Sequence, residues 1–206
     1  MNVTPLFSIP VASDKLDDVD HDSILERLKT LNYETVAANN ALISSPPDQV
    51  MEDNLFSDLK KSLMIYFNGF VYDILKFENI SFSINCSWVN LHKTGQFGQP
   101  HTHPNSFYTC VYFPHDVLSD QGDLFFHNES IQTFINKVID PQISEYNLMN
   151  SQAWSFTPKK GEIYIFPSHL NHSVGVNENS ADRYSVACNF WVNQFTDKRR
   201  TKFISI

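Results

Sequence analysis

SFSINCSWVNLHK, residues 81 to 93, is where the chain changes period. Upstream of it, apolar residues recur three and four positions apart; here Phe82, Ile84, Cys86, Trp88, Asn90 and His92 occupy every second position. Successive side chains of a strand leave on opposite faces, so the spacing predicts one long strand with these six on a single face. More strand-like runs follow: SFYTCVYF (106–113), GDLFFHN (122–128), AWSFTP (153–158), EIYIFP (162–167), NHSVGV (171–176) and DRYSVACNFWV (182–192). Turn sequences such as PHDVLSDQGD, PKKG and NENSAD separate most of them. So many strands in so short a stretch predict a mainly β fold: a sandwich, a jelly roll or a barrel. Residues 129–151 carry no readable pattern and are taken as an insertion.

The N-terminal part reads differently. TPLFSIPVA has the look of a short strand. DHDSILERLKTL (20–31) places Ile24, Leu25, Leu28 and Leu31 at helical spacing, with acidic residues in the first turn where the helix dipole favours them. ETVAANNALISSPPDQV (34–50) is polar, ends in a proline pair and reads as a loop. From Met51 to Leu75 the apolar stripe predicts a long amphipathic helix, interrupted near Gly69. No internal repeat is present. One domain, 1–206, is expected: an N-terminal strand with supporting helices (1–80) and a β core (81–206), the helices packed on its outside and carrying no chemistry.

Within the β half, GQPHTHPNSF (98–107) puts two imidazoles two residues apart. If extended, His101 and His103 share a face and can clasp one metal ion. Alone, H-x-H arises by chance on any exposed strand or turn. Two later residues add weight: His172 opens a strand, and Arg183 stands on the next, eleven positions on. A metal needs convergent donors on rigid elements, which this order supplies.

From about Ser87 to Val192 the chain resembles the iron(II)- and 2-oxoglutarate-dependent oxygenases, specifically a small bacterial and phage-type branch. The resemblance rests on WVNLHKTGQFGQPHTH, SFYTCVYFP, GDLFF, PKKGEIYIFPSHLNHSV and DRYSVACNFWV. It implies a double-stranded β-helix (a jelly roll or cupin-like barrel) whose mouth holds Fe(II) on two histidines and a carboxylate. It also implies a basic residue for the far carboxylate of the co-substrate 2-oxoglutarate. Carried over, His101 and His172 are metal ligands and Arg183 the co-substrate anchor; the reaction implied is hydroxylation with release of succinate and CO2. One departure stands out: the family pattern is H-x-D or H-x-E, and this chain has His103 there. Either His103 is the third ligand, or it stands beside the site.

A second resemblance competes. Gly95 followed by five residues and HTH matches half of a cupin motif, though PNSFYTC lacks the glutamate that should follow; a cupin-type dioxygenase without 2-oxoglutarate, or a non-catalytic ligand-binding barrel, is the alternative. Arg183 also has a plain reading, as a surface arginine paired with Asp182 or Glu178. Asn90, Tyr108 and Asn189 are candidate co-substrate contacts, each with a plain structural reading as well. His169, His92, His115, His127 and His21 have no partner assignable from sequence, and Trp88, Trp154 and Trp191 read as core.

A net charge of −8 argues against a nucleic-acid partner, which selects a basic face; DKRR (197–200) reads as a solvated tail. Cys86, Cys110 and Cys188 stand far apart in apolar strands without a C-x-x-C, as reduced buried thiols of a cytoplasmic protein do. Neither a signal peptide nor a membrane span is indicated. The expected substrate is a small molecule or a protein side chain, and a homodimer is compatible with the sequence.

Overall fold

The computed structural model describes residues 1–3, 8–36, 41–44, 49–129, 138–139 and 141–195. Helix α1, His21–Lys29, begins where Asp20 accepts a hydrogen bond from the Ser23 N–H at 3.1 Å, and it buries Ile24 and Leu28. The stripe expected to be one helix over 51–75 is broken at its start. Asp53 caps the Leu55 N–H, so two single turns, Val50–Glu52 and Asn54–Phe56, precede helix α2, Ser57–Asn68. At Gly69 the helix widens into a π-turn, Gly69–Ile74, which keeps Phe70 and Val71 on the buried side after Phe67.

Eleven strands are described: β1 (Ala12–Lys15), β2 (Tyr33–Val36), β3 (Ala41–Ser44), β4 (Ile80–His92), β5 (Gly98–His101), β6 (Tyr108–Tyr112), β7 (Leu124–His127), β8 (Ala153–Phe156), β9 (Glu162–Pro167), β10 (His172–Val174) and β11 (Arg183–Phe195). They form a seven-stranded sheet, β1-β9-β6-β11-β4-β3-β2, and a four-stranded sheet, β5-β10-β7-β8.

The double-stranded β-helix, jelly-roll or cupin-like barrel expected from the sequence is therefore corrected to a two-sheet α/β architecture. A barrel requires the first and last strands to pair. Here β1 and β2 are opposite edges of the large sheet, β5 and β8 opposite edges of the small one, and among the described residues no ladder joins the two sheets. The strand spacing was readable; which strands pair is a matter of tertiary contacts.

The large sheet is buried on both faces. Toward the helices it turns Tyr112, Ile163, Ile165, Val186, Cys188 and Phe190, which pack with Leu28, Leu59, Leu63 and Phe67. Phe67 stacks on Phe190 with ring centroids 3.8 Å apart. Toward the small sheet it turns Val111, Phe113, Tyr164, Phe166 and Ala187 against Leu124 and Phe126.

The prediction of one face from Phe82 to His92 fails at a single residue. Opposite the consecutive pair Asn189 and Phe190 on β11 stand Cys86 and Ile84 on β4, so Asn85 is a bulge. An extra residue reverses every side chain beyond it. Phe82 belongs to the helix-side core, as do Val89 and Leu91, whereas Cys86, Trp88, Asn90 and His92 face the other way.

Two further expectations change. The segment 34–50 is not a loop as expected: β2 and β3 pair in antiparallel fashion and β3 continues onto β4 through Leu42 opposite Leu91. The Ser44 hydroxyl also accepts a hydrogen bond from Val89 N–H. The two short strands, YETV and ALIS, sit within a stretch whose overall composition is polar, and pairing, β2 onto β3 and β3 onto β4, is what makes them strands. Residues 4–7 of the expected first strand lie outside the described residues; strand β1 forms just after Pro10, whose ring has no N–H to give a ladder, and pairs with β9. DKRR and most of 130–140 also lie outside them. The three cysteines form no disulfide. Among the described residues, no helix is long and apolar enough to cross a membrane.

Candidate metal centre and its cavity

β10 lies between β5 and β7, and its register puts His172 directly opposite His101. His103 is not on the strand: β5 ends at His101, and the chain is held by the His103 N–H, which donates to Ser168 O at 2.9 Å. The three rings nevertheless converge, with centroids 4.4 Å (His101–His172), 5.0 Å (His103–His172) and 5.1 Å (His101–His103) apart, and one ligand nitrogen from each lies within 4.8 Å of the others.

The hydrogen bonds settle which nitrogens face inward. Nδ1 of His101 donates to Gln99 O at 2.7 Å, and Nδ1 of His172 to Leu170 O at 3.0 Å. A carbonyl only accepts, so both protons sit on Nδ1 and both Nε2 lone pairs are left for a ligand. His103 Nε2 is 3.1 Å from His172 Nε2 and donates to it when no ion is bound. Two nitrogens bound ~2.1 Å from one ion at a right angle would be about 3.0 Å apart, so this spacing suits neighbouring ligands. Burial holds His172 down at about 3 and His103 at about 4, with the nearby His101 as a lesser cause. The donor set fits a divalent transition metal.

A cavity of about 400 Å³ runs from this triad between the two sheets. The alternation of β11 sends Arg183, Ser185, Ala187 and Asn189 into it, and Asn85 ensures that β4 contributes Cys86, Trp88, Asn90 and His92. No aspartate, glutamate or lysine lines it among the described residues.

Arg183 is not the surface residue of the plain reading. It is fully buried and paired with neither Asp182 nor Glu178. Its Nε donates to Gly122 O at 3.2 Å, and its guanidinium carbon lies 5.3 Å from the centre of the Phe113 ring. Gly122 has φ +83°, and a Cβ there would come within 2.1 Å of Gly175 O, so only glycine brings this carbonyl to the guanidinium. Among the described residues, Nη1 and Nη2 have no hydrogen-bond partner. Burial lowers Arg183 to about 10, partly offset by Asp123, and it stays charged at neutral pH.

Asn90 and Asn189 both line the cavity. Asn90 Oδ1 accepts from Trp88 Nε1 at 3.0 Å, and Asn189 Oδ1 from Thr109 Oγ1 at 2.9 Å, so each amide nitrogen remains to donate. Tyr108 is not brought to the site. Its ring is on the helix side, against Phe67, Phe70 and Phe82. His169 is exposed in a turn. His21 bonds Tyr112, His127 bonds Ser173, and His115 Nε2 accepts from the Tyr184 N–H, so these three are held as structural groups. Sequence reasoning missed His92 and Trp88. Both line the cavity, and parity counted from Asn90, on the same side of the bulge, finds them.

A family model described as "Putative 2OG-Fe(II) oxygenase" matches residues 86–189, about half of the chain and all of this constellation. Among solved structures, the chain is similar to the non-heme alpha ketoglutarate dependent epimerase SnoN from nogalamycin biosynthesis (TM-score 0.64, 12% identity, 88% of this chain and 78% of that one). It is likewise similar to HygX from Streptomyces hygroscopicus with nickel and 2-oxoglutarate bound (TM-score 0.64, 12% identity, 93% and 86%). A prolyl-4-hydroxylase from Pseudomonas putida matches with TM-score 0.56 and 14% identity over 90% and 94%. At such identities the likeness is one of fold. No curated protein matches the sequence. The matched family segment places the chain plainly: it belongs to the iron(II)/2-oxoglutarate-dependent oxygenase family, with Fe(II) as cofactor and 2-oxoglutarate as co-substrate.

Proposed function

We propose that the protein is a dioxygenase that hydroxylates an organic substrate, holding Fe(II) on His101, His103 and His172 and anchoring 2-oxoglutarate on Arg183. When bound, the metal and co-substrate supply the conversion of R–H, O2 and 2-oxoglutarate to R–OH, succinate and CO2. The chain's own part is positioning. The Gln99 and Leu170 carbonyls fix the tautomers of two ligands, and the apolar walls Phe113, Leu124 and Val174 keep water from the co-substrate. Asn90 and Asn189 offer amide donors along the cavity between the two sheets.

The observation that carries this reading is the buried guanidinium with two unpartnered nitrogens. A buried charge without a partner is expensive, and a carboxylate is the acceptor that matches its fork. His103 in place of a carboxylate supports the same reading. Three neutral imidazoles leave the charge of a divalent ion uncompensated, which favours a dianionic co-substrate. Anaerobic titration of the Fe(II)-loaded protein with 2-oxoglutarate should give the visible charge-transfer band of the chelate. In air, succinate should form in step with 2-oxoglutarate consumption. Absence of both would remove the proposal.

A further inference from the structure

Among the described residues, four buried side-chain nitrogen or oxygen atoms have no hydrogen-bond partner; two belong to Arg183 and a third is Nδ1 of His92. These two residues are direct cross-strand partners of β4 and β11, and both line the same end of the cavity. Buried polar groups are almost always satisfied, so unsatisfied ones gathered at one point mark a missing partner. We propose that His92 is a second donor to the far carboxylate of 2-oxoglutarate, acting beside Arg183 and restricting the co-substrate to a diacid. This rests on the Fe(II)/2-oxoglutarate reading above.

The chemistry of the pair supports a shared anion. His92 is 3% exposed, and burial together with the adjacent guanidinium holds it down at about 3. It is therefore a neutral ring with one N–H to give. No acidic residue among the described lining residues competes for that proton or for the guanidinium. A carboxylate has about four lone-pair directions, enough for the arginine fork and a third donor. The backbone at this position is also fixed: buried Asn177 donates through Nδ2 to His92 O at 2.8 Å and to Ala181 O at 3.0 Å, tying the end of β4 to the turn before β11. A 2-oxo monoacid of the same chain length would leave all three nitrogens unpaired. His92 therefore contributes to selectivity as well as to affinity.

The test is anaerobic calorimetry on the Mn(II)-loaded protein, with 2-oxoglutarate and 2-oxopentanoate as ligands. His92→Phe keeps a ring but has no donor. It should weaken 2-oxoglutarate about tenfold or more while leaving 2-oxopentanoate and Mn(II) binding unchanged. His92→Asn, whose amide nitrogen stands near the position of Nδ1, should recover part of the loss. If wild type binds no 2-oxoglutarate, the functional reading falls and this inference with it. If wild type binds and His92→Phe binds equally well, or weakens both ligands alike, only the role of His92 is overturned. A measurement that needs no variant is the imidazole proton spectrum of Zn(II)-loaded wild type. There 2-oxoglutarate should bring the His92 N–H into slow exchange, and no such change would also overturn the role.

Discussion

Replacing Arg183 with methionine separates two roles that a buried arginine ordinarily combines. Burial lowers the guanidinium from its ordinary value to about 10, a native-state cost of about 3 kcal/mol. For a base whose folded value is depressed, that cost is fully present below about pH 10 and is relieved only as the pH rises toward the unfolded value. Methionine removes it, along with the Gly122 hydrogen bond and the Phe113 ring contact, which together stabilise by about 2–3 kcal/mol. Metal-free Arg183→Met should therefore unfold in urea within about 1 kcal/mol of wild type, whereas breaking a satisfied buried ion pair costs about 3–5 kcal/mol. The same variant should bind 2-oxoglutarate 10- to 150-fold more weakly, from about 1.5–3 kcal/mol for a charge-assisted pair, while binding Fe(II) almost normally. Arg183→Lys should recover only part of the affinity, since an ammonium lacks the fork. A stability loss above about 3 kcal/mol with unchanged 2-oxoglutarate affinity would show the guanidinium to be an internally satisfied structural group, contrary to this account.

Three other perturbations test separate parts of the structure. His101→Ala or His172→Ala should abolish stoichiometric Fe(II) binding with the far-ultraviolet spectrum retained; a large loss in His103→Ala would mark His103 as the third ligand, and full metal occupancy would place it beside the site. Tyr108→Phe should leave the 2-oxoglutarate affinity unchanged by calorimetry, because that ring packs among helix-side phenylalanines; a clear loss would put the hydroxyl in the site after all. Deleting Asn85 should prevent folding, as judged by loss of a cooperative urea transition, whereas Asn85→Ala should stay within about 0.5 kcal/mol of wild type; a stably folded deletion would mean that the bulge does not set the parity of β4.

Much of this was legible because period and spacing are local properties. The strand 162–167 and helix 20–31 follow from their own residues, and the order His101, His103, His172, Arg183 marked the site before any geometry was known. What was not legible depends on partners distant in sequence. β2 and β3 are four-residue segments within a largely polar stretch; β3 becomes a strand because β4 offers it an edge, and β2 because β3 does. Tyr108 is a candidate contact from its place at the start of a strand, with a structural reading beside it, yet its direction is set by the pairing of β6 with β11 and β9. Nothing in SFYTCVYF says which of its two faces meets the helices, since both are apolar.

Asn85 shows how such a limit bears on function. Without the bulge, the even-numbered residues of β4 would continue on the face of Phe82 and Ile84, and Trp88, Asn90 and His92 would be driven into the helix-side core. With it, Phe82 and Ile84 pack against the helices while His92 stands beside Arg183 in the cavity. The strand thus answers to two masters along its length: an aromatic core at one end and a polar cavity at the other. A strictly alternating sequence can satisfy only one face, so an inserted residue is needed where the demands change over. The same inserted residue hid His92 from a parity argument anchored on Phe82. From Arg183 across the ladder, the position of His92 follows directly.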